Sequence, residues 1–296
     1  MNGKIAKSLF LVLFGFGIIF GSSLNSLLPT KAANSNHSIN YDVVKRSHST
    51  IHTITIPHNS NYSVAPAVSG QLELVEDFVA QGENVVAAIN GGYFDPVNNK
   101  TTSFITLQSK VVADPRFNER LVDNPDLKQY LGKIFNRAEF RRYSCGKDIQ
   151  YDIQPHFAPI LSNCTLEASL GGGPGLLPQD TSVAEAFTAY RDGQKIRDAI
   201  GSDALNARSA VGITKAGDVI LTMVAQQPQQ PLNSGISLGE LSDYLSSLGA
   251  VKAMNLDGGS SASLYYDGRG VYGRVDSKGN KIQRPVKSVL LVTKNR

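Results

Sequence analysis

The stretch Ser237–Ser260, SLGELSDYLSSLGAVKAMNLDGGS, decides the fold. Ser237 and Glu240 form a capping-box pattern, in which the hydroxyl and the carboxylate each satisfy an open backbone N–H at the start of a helix. Leucines then recur at helical spacing until Gly249, a typical helix end. The apolar run Val251–Leu256 that follows has the length of a strand. The stretch therefore predicts a helix, a strand and then the loop Asp257-Gly258-Gly259-Ser260.

The same order occurs once more in residues 71–94. Leu72, Val75, Phe78 and Val79 lie at helical spacing, Gly82 is a stop signal, and residues 84–89 form an apolar run of strand type. This run leads into Asn90-Gly91-Gly92-Tyr93-Phe94. Two such units can pack side by side and bring both glycine loops to one rim of a sheet, where ligands commonly bind.

The remaining pattern is rich in strands. An alternating stretch at 51–56 predicts an early strand, and two apolar runs at 209–214 and 219–224 predict a hairpin around the four residues 215–218. A second hairpin is expected at Asp267-Gly268 and a last strand near 286–292. The predicted class is α+β: one strand-rich domain with mixed sheets, a few packed helices and glycine-rich loops gathered at one rim.

Composition excludes two classes of protein. Of 296 residues, 41% are hydrophobic and 18% charged, which is typical of a globular chain and not of a disordered one. Residues 1–33 carry Lys4, Lys7 and Lys31 but no acid, and the rest of the chain has 26 basic and 25 acidic residues. Because a nucleic-acid protein needs a basic stripe to neutralise phosphates, we expect no nucleic-acid partner.

Residues 1–33 have the order of a secretory signal: two lysines, the apolar run 9–20, and small residues up to Ala32 and Ala33. The alternative is an uncleaved membrane anchor, because the apolar character continues as far as Leu28. Both alternatives export the rest of the chain, to the periplasm or the outside of the cell. Residues 34–69 are then a polar N-terminal segment with the first strand, and residues 70–296 form the main domain.

Export would place Cys145 and Cys164 in an oxidising compartment. Two cysteines in an oxidising compartment usually pair, so we predict a disulfide; the alternative is a nucleophilic thiol with His156 as its base. Residues 114–165 around them show no clear period and are predicted to be an elaborated loop region that the disulfide holds. Its arginines are interpreted as a solvated face: Arg116, Arg120, Arg137, Arg141 and Arg142.

The loops permit a particular chemistry. Glycine clusters let backbone amides cradle an anion, although glycine is equally common in tight turns. Asp257, directly after an apolar strand, could act as a base, a nucleophile or a metal ligand, or could hold its own turn. Arg208 offers a planar fork for phosphate or carboxylate, or a surface ion pair. No familiar ligand spacing is present, and we predict neither a metal nor a cofactor.

Four segments in order resemble the phosphodiester glycosidase family over about residues 70–293: Asn90-Gly91-Gly92-Tyr93-Phe94, Gly172-Gly173-Pro174-Gly175-Leu176-Leu177, Arg208-Ser209-Ala210-Val211-Gly212 and Leu256-Asp257-Gly258-Gly259-Ser260-Ser261. The resemblance implies hydrolysis of a sugar-1-phosphodiester of the N-acetylglucosamine-1-phosphate type at the anomeric C–O bond. The products would be a free sugar and a phosphomonoester. A sugar phosphodiester or phosphate-containing glycan is then the expected partner, with a membrane contacted only through residues 1–33 if these are uncleaved.

The resemblance also suggests roles for single residues. Asp257 would face an oxocarbenium-like transition state as base or nucleophile, Arg208 with the glycine-loop amides would hold the phosphate, and Asn90 would orient the sugar or the phosphate. In the absence of Trp, aromatic rings for a sugar would come from Tyr93, Phe94, Tyr265 and Tyr266. The expected substrate-binding residues are Gly91, Gly92, Tyr93, Gly172, Gly173, Gly258, Gly259 and Ser260.

Two alternatives stay open. The same scaffold could belong to a catalytically inactive protein that binds carbohydrate or exopolysaccharide. It could also carry a phosphodiesterase that cleaves P–O, although such enzymes typically use a two-metal cluster of carboxylates and histidines. Four of the five histidines precede the first predicted helix, so the sequence offers little support for that cluster.

Overall fold

The computed structural model describes residues 38–295, so the predicted signal segment lies outside the described residues. None of the helices in this range is both long and apolar enough to cross a membrane. Two helices stand out, α1 (Val75–Gln81) and α4 (Leu238–Ser247), with two single turns between them, α2 (Glu119–Val122) and α3 (Leu131–Ile134). The strands are β1 Asn40–Lys45, β2 Thr50–Ile56, β3 Tyr62–Glu73, β4 Val85–Asn90, β5 Ile105–Leu107, β6 Lys110–Ala113, β7 Ala138–Cys145, β8 Asp148–Pro155, β9 Thr165–Gly171, β10 Gly175–Leu177, β11 Thr188–Arg191, β12 Gln194–Asp198, β13 Arg208–Thr214, β14 Val219–Ala225, β15 Ala250–Asn255, β16 Ser263–Tyr266, β17 Arg269–Tyr272 and β18 Val286–Lys294.

Three sheets enclose one central core. A six-stranded sheet has the order β1-β2-β14-β13-β15-β10, a five-stranded sheet the order β17-β16-β4-β18-β3, and a second five-stranded sheet the order β6-β5-β9-β7-β8. Strands β11 and β12 form a separate hairpin. The inner faces of the three sheets supply fully buried side chains to the same core, among them Ile54, Ile89, Phe140, Leu170 and Met254. Burial of this apolar surface is the main force that holds the sheets together.

The fold is richer in strands than the predicted α+β class suggests, and the expectation of mixed sheets is wrong. All pairings between the described strands are antiparallel. The reason lies in how α1 and α4 connect strands. Helix α1 joins β3 to β4, but β18 lies between these two strands in the sheet. Helix α4 joins β14 to β15 in the same way, and β13 lies between them. Each inserted strand runs antiparallel to both neighbours.

The predicted capping box is confirmed. The Ser237 hydroxyl accepts a hydrogen bond from the Glu240 N–H at 3.3 Å, and the Glu240 carboxylate accepts from the Ser237 N–H at 2.9 Å. Helix α4 then buries Leu241 and Leu245 against the six-stranded sheet, and Gly249 follows it with a φ of +86°. The local signals of this stretch therefore give the correct helix and strand.

Other boundaries shift. The predicted hairpin at 209–214 and 219–224 is present as β13 and β14. Helix α1, in contrast, begins only at Val75, because Leu72 still belongs to β3. Strand β3 also continues across the boundary expected between residues 69 and 70. The N-terminal segment thus pairs directly with β18 and contributes Val64 to the central core.

Residues 114–165 are an elaborated loop region only in part: residues 114–137 consist of loops and short helical turns, but the rest of the stretch is mostly strand. They contain β7 and β8, which pair over their whole length and complete a sheet with β9. The predicted disulfide between Cys145 and Cys164 is confirmed, and it joins the end of β7 to the start of β9. Arg141 is also not solvated: its guanidinium is buried in contact with Glu139 at 2.7 Å.

Candidate active site

The two predicted glycine loops meet, but they come from two different sheets. Asn90 ends β4 in one five-stranded sheet, and Asp257 follows β15 in the six-stranded sheet. The Asp257 N–H donates to the Gly91 carbonyl at 3.0 Å, and the Asn90 amide donates to the Asp257 carbonyl at 2.6 Å. The rim that the sequence predicts within one sheet is therefore a junction between two sheets.

Asn90 is completely buried, and its side-chain amide is fully used inside the protein. Its oxygen accepts from the Ser209 hydroxyl at 2.6 Å and from the Ser263 N–H at 3.1 Å, while its nitrogen holds the backbone of Asp257. The expectation that this amide orients the sugar or phosphate directly is corrected. Asn90 is a positioning residue that fixes the Asp257 loop.

The third glycine loop, residues 171–175, joins the same place. The Gly173 N–H donates to the Asn255 carbonyl at 2.8 Å. The Tyr93 hydroxyl donates to the Gly173 carbonyl at 2.8 Å and accepts from the Asn255 amide at 2.7 Å. The loops approach so closely that a Cβ at Gly92 would lie 2.0 Å from the Gly171 carbonyl oxygen. Only glycine fits at position 92.

Four of the expected substrate-binding glycines serve this packing: Gly91, Gly92, Gly172 and Gly173 are buried. Three of their N–H groups donate to backbone carbonyls, which leaves them unable to cradle a phosphate. Gly258, Gly259 and Ser260 differ, since they are partly exposed. Gly259 adopts a φ of +59°, a left-handed conformation that glycine reaches without strain, and a Cβ there would contact only the Asn206 amide, at 4.0 Å.

Asp257 is partly exposed as a residue, at the junction of the two sheets. Burial raises the pKa of Asp257 to about 6, because desolvation disfavours the charged form. Ser261, the positive charge of Arg284 and the Gly258 N–H act in the opposite direction. A carboxyl with this pKa is ionised at neutral pH yet basic enough to take up a proton.

Arg284 and Arg274 flank the same loop, and the sequence analysis did not single them out. Arg284 donates to the Ser260 hydroxyl at 2.8 Å, and its guanidinium stacks 5.1 Å from the centre of the Phe94 ring. Arg274 donates to Asn206 at 2.7 Å, beside Gly259. The sequence does contain a feature that could have identified them, because the segment 274–287 has five basic residues and one acid.

Arg208 opens β13 beneath the loop, and its side chain is only 2% exposed. Within residues 38–295 it forms no surface ion pair. Its guanidinium donates to four backbone carbonyls, those of Ile200, Gly201, Ala204 and Ile236, at 2.6–3.2 Å. Burial lowers the pKa of Arg208, and Tyr93 and Asp198 oppose that shift. Arg208 therefore fixes residues 200–204 while bringing a positive charge to the site.

Arg137 is the clearest residue that the sequence analysis assigned wrongly. It is 8% exposed and not part of a solvated face. Its guanidinium stacks 3.8 Å from the centre of the Phe187 ring, and its Nε donates to the Glu185 carbonyl at 3.1 Å. The two terminal amino groups have no hydrogen-bond partner within residues 38–295. Burial lowers the pKa of Arg137 to about 10, so it stays charged at neutral pH.

Tyr93 lies at the centre of these charges. Burial raises the pKa of its hydroxyl, and so does the nearby Asp257, whereas Arg137 and Arg208 oppose the shift. The carboxylate and both buried arginines therefore act on one phenol ring. Tyr93 also contacts the Phe187 ring, with 5.4 Å between the ring centres.

The other aromatic rings expected to bind sugar lie elsewhere. Phe94 is buried beneath Arg284. Tyr265 packs with the core under α1, and Tyr266 stacks on Tyr41 with 4.9 Å between the ring centres. Of the four rings, the structure leaves Tyr93 at the site. Within residues 38–295 no group of three or more histidine, cysteine, aspartate or glutamate side chains is arranged to hold a metal ion.

A known protein family contains the segments that form this site. Residues 83–293 match the family model described as phosphodiester glycosidase, and this range includes all three glycine loops, Arg208 and Asp257. The chain belongs to the phosphodiester glycosidase family. The resemblance stated from the four sequence segments is thereby confirmed.

Solved structures share the fold at low sequence identity. The catalytic domain of zebrafish N-acetylglucosamine-1-phosphodiester alpha-N-acetylglucosaminidase, auto-inhibited by its pro-peptide, is 19% identical with a TM-score of 0.61, over 90% of this chain and 86% of that one. A hypothetical protein from Synechocystis is 16% identical with a TM-score of 0.56, over 88% and 63%. A protein of Burkholderia pseudomallei K96243 assigned as exported is 14% identical with a TM-score of 0.57, over 83% and 74%. A comparison with curated proteins gives no significant match.

Proposed function

We propose that the protein is an exported glycosidase that hydrolyses a sugar-1-phosphodiester at the anomeric C–O bond. One observation carries the proposal: Asp257, a carboxyl of raised pKa, lies beside Arg284 and shares the environment of Tyr93 with two buried arginines, Arg137 and Arg208. Neither buried arginine has a hydrogen-bonded carboxylate partner in the described chain. The charge of Glu185 acts on Arg137 and that of Asp198 acts on Arg208, and an anionic substrate would add a further negative charge beside these cations.

The chemistry of the substrate explains this choice of groups. A phosphomonoester leaves a sugar readily, so the site needs less help from a general acid than ordinary glycoside hydrolysis does. It needs cations that hold the phosphate and one carboxylate that faces the positive charge developing on the anomeric carbon. In the balanced reaction, the C1–O bond breaks with its electron pair leaving on the phosphate oxygen. Water adds a hydroxyl to C1, and its proton is released.

Asp257 would accept the proton of the attacking water, or would itself attack C1 and form a glycosyl ester that water then hydrolyses. Both roles need the ionised carboxylate. Arg137 and Arg284 would hold the phosphate through N–H groups, and Arg208 would add its charge from below. Asn90 would keep the Asp257 backbone in place through the 2.6 Å contact.

The pH profile is the first expected result. Because the pKa of Asp257 is raised to about 6, kcat/KM should rise with pH and level off above pH 6 to 7. The reaction needs the charged carboxylate of Asp257. Protonation removes this form as the pH falls through 6, so kcat/KM should fall with it. Initial rates between pH 4 and 8 measure it. A rate that falls as pH rises through 6 would instead assign Asp257 the role of a general acid.

Arg137→Met is expected to raise KM and lower kcat/KM by about 30-fold, corresponding to roughly 2 kcal/mol for a charge-assisted contact. Methionine retains an apolar stem against Phe187, so little packing is lost. Arg269→Met, at an exposed position in β17, is the matched control and should leave the rate unchanged. Equal kinetics for both variants would remove Arg137 from phosphate binding.

The activity itself is tested with an alkyl phosphodiester of α-N-acetylglucosamine-1-phosphate. Free N-acetylglucosamine and the alkyl phosphate should appear in equal amounts. Release of N-acetylglucosamine-1-phosphate with free alcohol would show P–O cleavage instead. Binding of the diester without any turnover would favour an inactive carbohydrate-binding protein.

Export is the second part of the proposal. The disulfide between Cys145 and Cys164 supports it, because such bonds persist mainly outside the reducing cytosol. The mass of the mature protein would decide between cleavage after Ala32 and retention of residues 1–33 as an anchor.

A further inference from the structure

A cavity lies beside residues 99–101, in the segment that follows Tyr93. It has a volume of about 430 Å³ and opens between β3, the end of β6 and residues 99–101. Lys100, Lys287 and Phe117 are among the residues that line it. None of these residues takes part in the site around Asp257.

Lys287 brings a positive charge to this cavity. Its ammonium group donates to the Gly70 carbonyl at 2.9 Å, and it forms no salt bridge with a carboxylate of the described chain. Burial lowers the pKa of Lys287, and the charge of Glu73 opposes this shift. Lys100 differs, since its ammonium group is paired with Glu119. The lining also includes Asp114, whose carboxylate is paired with Arg116 at 2.6 Å. Lys287 is therefore the lining cation that could accept an anionic ligand without breaking an existing ion pair of the described chain.

The cavity also has an apolar wall. The Phe117 ring is 75% exposed although it lines the cavity, and the neighbouring wall residue Val112 is half exposed. An exposed ring beside a cation is a surface suited to the apolar face of a sugar that carries a phosphate.

The cavity and the Asp257 site share a wall. Phe94, whose ring supports Arg284, forms an antiparallel bridge with Thr101, and Thr101 lines the cavity. Arg284 and Lys287 lie three positions apart in the chain, so their Cα atoms are at most ~10 Å from each other. A phosphate held at Arg284 and a second anionic unit at Lys287 are therefore within the reach of one short glycan.

We propose that this cavity binds a second phosphate-bearing sugar unit, and that the substrate is a polymer of glycosyl phosphate units. Lys287 would contact the second phosphate, and Phe117 would pack against its sugar. This inference rests on the proposed function, because it extends the substrate from the same site. It predicts that a chain of several units reacts more efficiently than a single unit.

The test compares two synthetic substrates. One is a trimer of α-N-acetylglucosamine units joined by 1,6-phosphodiesters, and the other is methyl α-N-acetylglucosamine-1-phosphate, the matched single unit. The readout is the ratio of their kcat/KM values. We expect a ratio of about 10 or more for the unchanged protein, and a ratio near 1 for Lys287→Met and for Phe117→Ala. Phe117→Ala removes an exposed ring, so it keeps the test valid if Lys287→Met folds poorly.

Lys278→Met is the control, since Lys278 is an exposed basic residue of the same segment but does not line the cavity. It should leave the ratio unchanged. Equal kcat/KM values for both substrates in the unchanged protein, or a high ratio that persists in Lys287→Met and Phe117→Ala, would overturn the inference while leaving the proposed function intact. Absence of turnover on both substrates would overturn the proposed function, and with it this extension.

Discussion

Asp257→Asn is expected to lower kcat by about 10³–10⁴-fold and to leave the fold unchanged. The amide has the shape of the carboxyl but cannot accept the proton of water or form a glycosyl ester. The backbone contacts of the loop, to Gly91 and from Asn90, do not involve the side chain and should persist. Initial rates on the alkyl phosphodiester and a thermal unfolding curve measure the two parts of the prediction.

Asp267→Asn is the matched control. Asp267 lies in an exposed hairpin turn with a φ of +48°, a conformation that asparagine also accepts, so rate and stability should not change. The two variants separate a specific loss from a general effect of removing a carboxylate. An Asp257→Asn enzyme with an unchanged rate would exclude Asp257 from the reaction.

Asp257→Asn should be no less stable than the unchanged protein at neutral pH. Because burial raises the pKa of Asp257 above its usual value, the folded protein holds the proton more tightly than the unfolded chain does. This group therefore lowers the free energy of unfolding as the pH rises from about 4 to 6. Asparagine avoids that cost. Chemical denaturation of both proteins at pH 7 measures the difference.

Arg208→Met is expected to lower the free energy of unfolding by about 3–5 kcal/mol. The variant leaves four backbone carbonyls without the donors that they have now: those of Ile200, Gly201, Ala204 and Ile236. Residues 200–204 would then lose their attachment to β13, and activity should fall with them. Urea denaturation measures the loss.

The exposed Arg269→Met change again provides the comparison, with an expected effect within about 0.5 kcal/mol. If Arg208→Met abolished activity but cost less than about 1 kcal/mol of stability, Arg208 would act only on the substrate and not as a structural clamp. A loss of stability with unchanged activity would remove it from the site.

Local signals explain what the sequence could predict. The capping box, the hairpin of β13 and β14 and the run of apolar residues before Asp257 each depend on residues that are neighbours in sequence. The two glycine loops were predicted to meet because each follows a buried strand. The structure shows both loops in contact, through Gly91 and Asp257.

Long-range packing explains what the sequence could not predict. Whether β4 and β15 share a sheet depends on β18 and β13, which pair with them from distant parts of the chain. Arg137 looks like any surface arginine in the sequence, and only the stacking on Phe187 distinguishes it. Asn90 was predicted near the site, but its role depends on Ser209 and Ser263, which no spacing rule connects to it.

The central claim is that this site breaks the bond between the sugar and the phosphate. Hydrolysis of the alkyl N-acetylglucosamine phosphodiester in water enriched in oxygen-18, followed by mass spectrometry of both products, tests it most directly. The account predicts the heavy oxygen in the released N-acetylglucosamine and none above background in the alkyl phosphate. Heavy oxygen in the phosphate would contradict it.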